Sequence, residues 1–261
     1  MNKATTEFEN KVSNGRITVE NPQDTFVFVE ASKLSLKDEF MKYNPKTERE
    51  EEFKEQLTEA IRKGIRDFWA PKYDPSLNKE GIGICYVPGK TPAVDRSYNW
   101  WEKTAKEFRP ERQSHLGPKS ERAAFWGWYI KKLIQSGWKA EDAWYAVCDD
   151  SKKLGHYWNS KNAEHALEKT GSREVCGFCD LANTFKILAY DEEAGGFWLS
   201  GGFFNFDSCN YPLAGLVPYH NRDHFHNHSV GWIVYYWCST DHWKGNQNKW
   251  SSQIWELHFN I

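Results

Sequence analysis

Residues 203–230 read FFNFDSCNYPLAGLVPYHNRDHFHNHSV, a run without helical or strand period. Structureless loops longer than about 15 residues are uncommon in folded domains unless they are functional or disordered. This one carries too many rings to be disordered. Such a loop needs a rigid scaffold to hold it. Its flanks read as strands, residues 197–204 (FWLSGGFF) and 230–238 (VGWIVYYWC).

The stretch contains no Lys, Glu, Gln, Met or Trp, although those five account for 69 of the 261 residues. Chance would leave all five out of such a run only on the order of once in several thousand tries (a composition estimate in the spirit of). These five are the residues that no codon ending in a pyrimidine can encode. A segment drawn wholly from the remaining set is what codons with varied first and second bases and a fixed pyrimidine third would produce. Phe, Tyr, His, Asn, Asp and Ser fill it, a palette close to that of a binding loop: flat rings that lose little entropy, with short polar groups that adapt.

The rest of the chain sets the context. Residues 16–20 (RITVE) and 25–30 (TFVFVE) alternate as strands, with a turn between them. A helix is predicted over residues 48–69, opened by a Thr47/Glu50 capping box and carrying Phe53, Leu57, Ile61, Ile65 and Phe68 at helical spacing. The Pro- and Gly-punctuated residues 70–81 read as a linker, which suggests a region 1–81 that anchors or oligomerises the chain and a domain over 82–261. Residues 83–87 read as a short strand and 110–119 as a loop. Helices are predicted at 120–136, with Gly137 just past the end, and at 140–154, with Gly155 as cap. Their Trp128 and Trp144 sit at core spacing.

Net charge is -2, so no general affinity for nucleic acid or anionic membrane follows. No apolar run approaches the roughly 20 residues of a membrane span, and the first residues show no apolar signal core, so cytoplasm or a virion is the expected location. Six cysteines are too sparse for a disulfide scaffold. His220, Asp223, His224, His226 and His228 form a metal-like cluster, but codon sampling explains the same residues, so no metal or other cofactor is expected. Cys176-Gly-Phe-Cys179 lacks the second pair that zinc needs and the βαβ setting of a redox site, and reads as two packed thiols. Asp149-Asp150 reads as the solvated end of a helix.

The flanks of the stretch carry a family resemblance. Residues 170–188 (TGSREVCGFCDLANTFKIL) resemble the "TG-REV-G--DL-GN-WE" signature of the formylglycine-generating-enzyme-like branch of the C-type-lectin fold. Residues 197–202 (FWLSGG) resemble its "R-LRGGSW" strand and residues 229–234 (SVGWIV) its closing "-IGFR-V" strand. The resemblance spans about residues 120–234. Within this branch, a randomised segment between those two strands resembles the variable proteins of diversity-generating retroelements, in which adenine-specific mutagenesis varies a ligand-binding face. The tail after Cys238 departs from that pattern, because the variable region normally ends the chain. The oxidase relatives bind copper through a close cysteine pair, whereas Cys209 and Cys238 are far apart.

The resemblance implies an α+β, C-type-lectin-like domain and a binding protein of phage or bacterial origin rather than an enzyme. Its partner would be a variable protein or cell-surface ligand, with homo-oligomerisation through the N-terminal region. The binding face would comprise Phe203, Phe204, Asn205, Phe206, Asp207, Ser208, Cys209, Asn210, Tyr211, Tyr219, His220, Asn221, Asp223, His224, Phe225, His226, Asn227 and His228. Leu213, Ala214, Leu216 and Val230 would anchor inward. Residues 197–202 and 230–234 should be neighbouring strands of one sheet. The competing reading is a metal- or copper-dependent enzyme of the same fold, using the histidine cluster or the cysteines.

Overall fold

A capping box opens the first long helix in the computed structural model, α1 (Glu48–Lys63). Thr47 Oγ1 accepts from the Glu50 N–H at 3.2 Å, while the Glu50 carboxylate accepts from the N–H of Lys46 at 2.6 Å, so the return bond closes one residue early. Gly64, at φ +76°, then stops the helix short of the expected Trp69. Phe68–Pro71 instead form strand β2, buried throughout. The structure describes residues 25–78, 83–94, 96–150, 154, 170–171, 174–181, 186–191, 196–200, 216–217, 225–226 and 229–236. The strand expected at residues 16–20 lies outside them.

β2 is the reason the linker reading of residues 70–81 fails. It pairs antiparallel with β1 (Phe26–Val29) on one side and with β12 (Ile233–Tyr236) on the other, and β12 pairs in turn with β6 (His115–Leu116). Pro71 is tolerated because β12 reaches only Trp69 and Phe68, so the missing N–H falls beyond that pairing. The next residues, β3 (Ser76–Leu77), pair with β4 (Ile84–Cys85), inside the short strand expected at 83–87. Phe26, Val29, Phe53 and Phe68 belong to the same core as Trp126, Trp144 and Val234. Within the described residues, therefore, no lobe ends at residue 81.

The two capped helices are present as α3 (Lys119–Gln135) and α4 (Ala140–Cys148), preceded by α2 (Tyr98–Phe108), a helix the sequence reading missed. Gly137 ends α3 at φ +102°, as its placement suggested. α4 stops at Cys148, six residues before the expected end, and Gly155 lies outside the described residues. α3 is the central helix. It packs on α1 so closely that a Cβ on Gly127 would come within 2.5 Å of Leu57 Cδ1. Rings fill the remaining space: Trp144 stacks on Tyr43 at 5.3 Å and meets Phe53 edge-on at 5.5 Å. Trp101, Trp126 and Trp144 are completely buried and Trp128 nearly so, which places much of the aromatic excess in the core.

A second sheet has the order β11–β7–β8–β9, built from β7 (Lys186–Asp191), β8 (Gly196–Ser200), β9 (Leu216–Val217) and β11 (Ser229–Gly231). β8 and β11 share this sheet but are not neighbours, contrary to expectation. The β7–β8 hairpin places β7 between them, with β11 parallel to β7. The closing segment also divides at Trp232: residues 229–231 join this sheet and residues 233–236 the first. The chain is thus mixed helix and sheet, an α+β fold. Among the described residues no helix is long and apolar enough to cross a membrane.

Candidate functional site

The long stretch leaves a sheet after the interior strand β8 and returns to the same sheet as the edge strand β11. β8 precedes the stretch, β11 takes up its end, and both belong to the sheet ordered around β7. Within the stretch, β9 pairs with β8, and β10 (Phe225–His226) pairs antiparallel with β5 (Arg96–Ser97). The register sets Phe225 opposite Ser97 and His226 opposite Arg96. Of the expected binding residues, Phe225 and His226 fall within the described chain. Residues 203–211, together with Tyr219, His220, Asn221, Asp223, His224, Asn227 and His228, lie outside it. Of the four expected inward anchors, Leu216 is placed in β9 and Val230 in β11, while Leu213 and Ala214 lie outside the described residues.

The support beneath β10 is well defined. Ser97 Oγ accepts from the Trp100 N–H at 3.2 Å and so caps α2, and the Arg96 guanidinium lies 5.4 Å from the Trp100 ring. Trp101, on the inward side, meets Trp100 edge-on at 4.8 Å and packs against Gly231 at the end of β11. The sequence reading did not pick out Arg96 or Trp100. A Ser followed by aromatic residues at three- and four-residue spacing was the available signal for this helix start.

The motif at residues 170–180 performs a structural task. Thr170 Oγ1 donates to the Val87 carbonyl at 2.6 Å and accepts from the Lys90 N–H at 3.2 Å. Gly171, at φ +86°, donates its N–H to both Asp180 carboxylate oxygens, at 3.1 and 2.9 Å. Asp180 Oδ2 also accepts from the Asp74 N–H at 3.3 Å. Cys176 and Gly177, both at positive φ, make the two-residue turn of a tight hairpin closed by Val175 and Phe178. Cys176 and Cys179 are free thiols, and burial followed by the Asp180 charge pushes Cys179 up to about 12. A thiol held protonated in this way is a poor nucleophile.

Asp149 is not the solvated helix end that its position suggested. Its Oδ2 accepts from Thr47 Oγ1 at 2.9 Å and its Oδ1 lies 3.8 Å from Arg49, joining the end of α4 to the start of α1. A pair that the sequence reading passed over is His115 and Glu121, 2.9 Å apart where β6 meets α3. Burial disfavours the charged imidazole, but hydrogen bonding and attraction to Glu121 outweigh it, and the pKa of His115 is raised above 6.5. A raised folded value means that the pair stabilises fully at acid pH and weakens as pH climbs from 6.5 through that value. The melting temperature should therefore decline over this interval in the native chain, and His115→Gln should flatten the decline. An unchanged profile in that variant would contradict the assignment.

Two surface depressions among the described residues lie along polar helix faces. One, of about 420 Å³, is lined by Pro45, Glu51, Lys54, Glu55, Thr58 and Arg62. Another, of about 370 Å³, is lined by Asn99, Glu102, Lys103, Lys106 and Glu107. Each lining is made mainly of charged side chains, chiefly glutamate and lysine, on one helix face. Among the described residues no three His, Cys, Asp or Glu side chains are grouped to hold a metal ion. Compared with known proteins, the chain matches no family model, no curated protein and no solved structure.

Proposed function

We propose that residues 203–230 form a hypervariable ligand-binding surface on a C-type-lectin-like scaffold, as in the variable proteins of diversity-generating retroelements. The observation that carries this reading is compositional: the stretch lacks all five residue types that pyrimidine-ended codons cannot specify, in a chain otherwise rich in them. Two strands of one sheet bracket the stretch, as a loop held on a scaffold requires, although β7 stands between them where the resemblance implied direct neighbours. Substitutions on an exposed loop usually change stability by within about 0.5 kcal/mol, so such a segment can vary at little cost to the fold.

The protein would act by binding a protein or cell-surface ligand, without cofactor or catalysis. Several copies assembled together would raise the avidity of a weak variable face.

Sequencing the gene and its surroundings in independent isolates tests the reading. A reverse transcriptase and a near-repeat of the 3′ coding end should lie beside the gene. Substitutions should concentrate in first and second codon positions of residues 203–230, with residues 25–150 nearly constant. A 3′ end identical across isolates, or substitutions spread evenly along the gene, would overturn it.

A further inference from the structure

Arg122 is 1% exposed, on the face of α3 that meets Trp232. Its guanidinium carbon lies 5.0 Å from the centre of the Phe125 ring and 4.8 Å from those of Trp126 and Trp232. Ring faces attract the cation but do not replace the oxygen acceptors that its N–H groups had in water. Nε and Nη2 have no hydrogen-bond partner among the described residues. Burial pulls the Arg122 pKa down to about 9, and the charge on Asp74 opposes that fall, so the group stays cationic at neutral pH. A buried cation with unmet donors carries the full loss of its hydration, and native proteins seldom leave such groups unmet.

A small cavity adjoins this group. It measures about 20 Å³ and is lined by Arg122, Asp74, Asp180, Tyr73, Cys179 and Trp232, among others. A cavity needs room for about one probe sphere, roughly 10–15 Å³, to hold a water, so the space admits one. Charge narrows the choice further. A halide would face two carboxylates, and a metal cation would face the guanidinium. A neutral molecule that accepts on one side and donates on the other meets both demands.

We propose that this cavity is a binding site for a single ordered water, which accepts from the Arg122 guanidinium and donates to the Asp74 carboxylate. The result is a hydrated buried charge pair beneath Trp232. Trp232 is the residue at which the chain leaves one sheet for the other, immediately after residues 203–230. The pair thus pins the far end of the long stretch using residues outside it. This inference stands apart from the proposed binding function and survives its failure.

A crystal structure of the full chain at about 1.8 Å, with a second crystal soaked in sodium bromide, tests it. One solvent peak should lie within about 3.2 Å of both an Arg122 nitrogen and an Asp74 oxygen. The bromide crystal should show no anomalous peak there. An empty cavity, a bromide at that position, or Arg122 bonded directly to a protein acceptor would each overturn the proposal. Variants give an independent reading. Arg122→Met removes the cation that faces the buried Asp74 carboxylate and should lower the melting temperature by on the order of 10 °C. Adding Asp74→Asn should recover at least half of that loss. A further fall in the double variant would contradict the pairing, and if the single variant does not fold, the crystals of the native chain still decide.

Discussion

Gly231→Ala should lower the melting temperature by roughly 5–10 °C, although it adds one methyl group. A Cβ at this position would stand 2.5 Å from Trp101 Cδ2 and 2.9 Å from its Cγ, closer than real Cβ contacts come. Trp101 cannot yield easily, because it is completely buried and held edge-on against Trp100. Forcing an extra carbon into such packing typically costs about 1–3 kcal/mol. Two controls separate this cause from others. Gly137→Ala faces open space at φ +102° and should cost only the strain of that backbone, about 1 kcal/mol. In a Trp101→Leu background the cost of Gly231→Ala should shrink towards zero, since the two effects share one contact. An equal cost in both backgrounds would show that the Trp101 contact is not the source.

This glycine explains how the long stretch is terminated. β11 must pass directly over α2 before Trp232 turns the chain into the first sheet, and only a residue without a side chain fits over the indole. Scaffold residues of this kind, rather than the stretch itself, are where substitutions should be punished.

Local chemistry was the legible part of the sequence. Thr47 with Glu50 marked the start of α1, and Gly137 marked the end of α3, because caps and left-handed glycines act over a single turn. The errors arose where tertiary pairing overrode a local cue. Phe68 and Trp69 continue the helical spacing of α1, but Gly64 breaks the helix and the two rings are worth more inside a four-stranded sheet. Residues 70–81 contain the prolines and glycine of a linker, yet Ala70 and Pro71 complete a central strand and Ser76 and Leu77 pair with β4. α2 was missed because it is short and its second half, KTAKEF, is mostly polar, and only its packing on β6 and β11 makes Trp101 and Ala105 a core face.

The site divides in the same way. The composition of residues 203–230 was readable without coordinates, since it is a property of residue types. The long-range partners were not. Nothing near Asp149 in the chain announces Thr47, nothing near Arg122 announces Asp74, and nothing near Phe225 announces Ser97. Such contacts join positions far apart in sequence, for which spacing rules carry no information.

The most direct measurement is the melting temperature of a triple variant, Phe204→Ser, Phe206→Ser and Phe225→Ser, set against the native chain. These rings belong to the segment read as a variable face, and exposed rings in that number form a patch suited to a partner. If they point outward, losing all three removes little buried area, and each substitution should cost within about 0.5 kcal/mol. If they are core, each truncation costs about 3–5 kcal/mol, and the sum exceeds the stability of most domains. The two readings therefore differ by an order of magnitude. A hypervariable surface requires a variant that folds and melts within about 5 °C of the native chain. A variant that fails to fold, or melts on the order of 20 °C lower, would place the rings in the core and contradict the variable-surface reading.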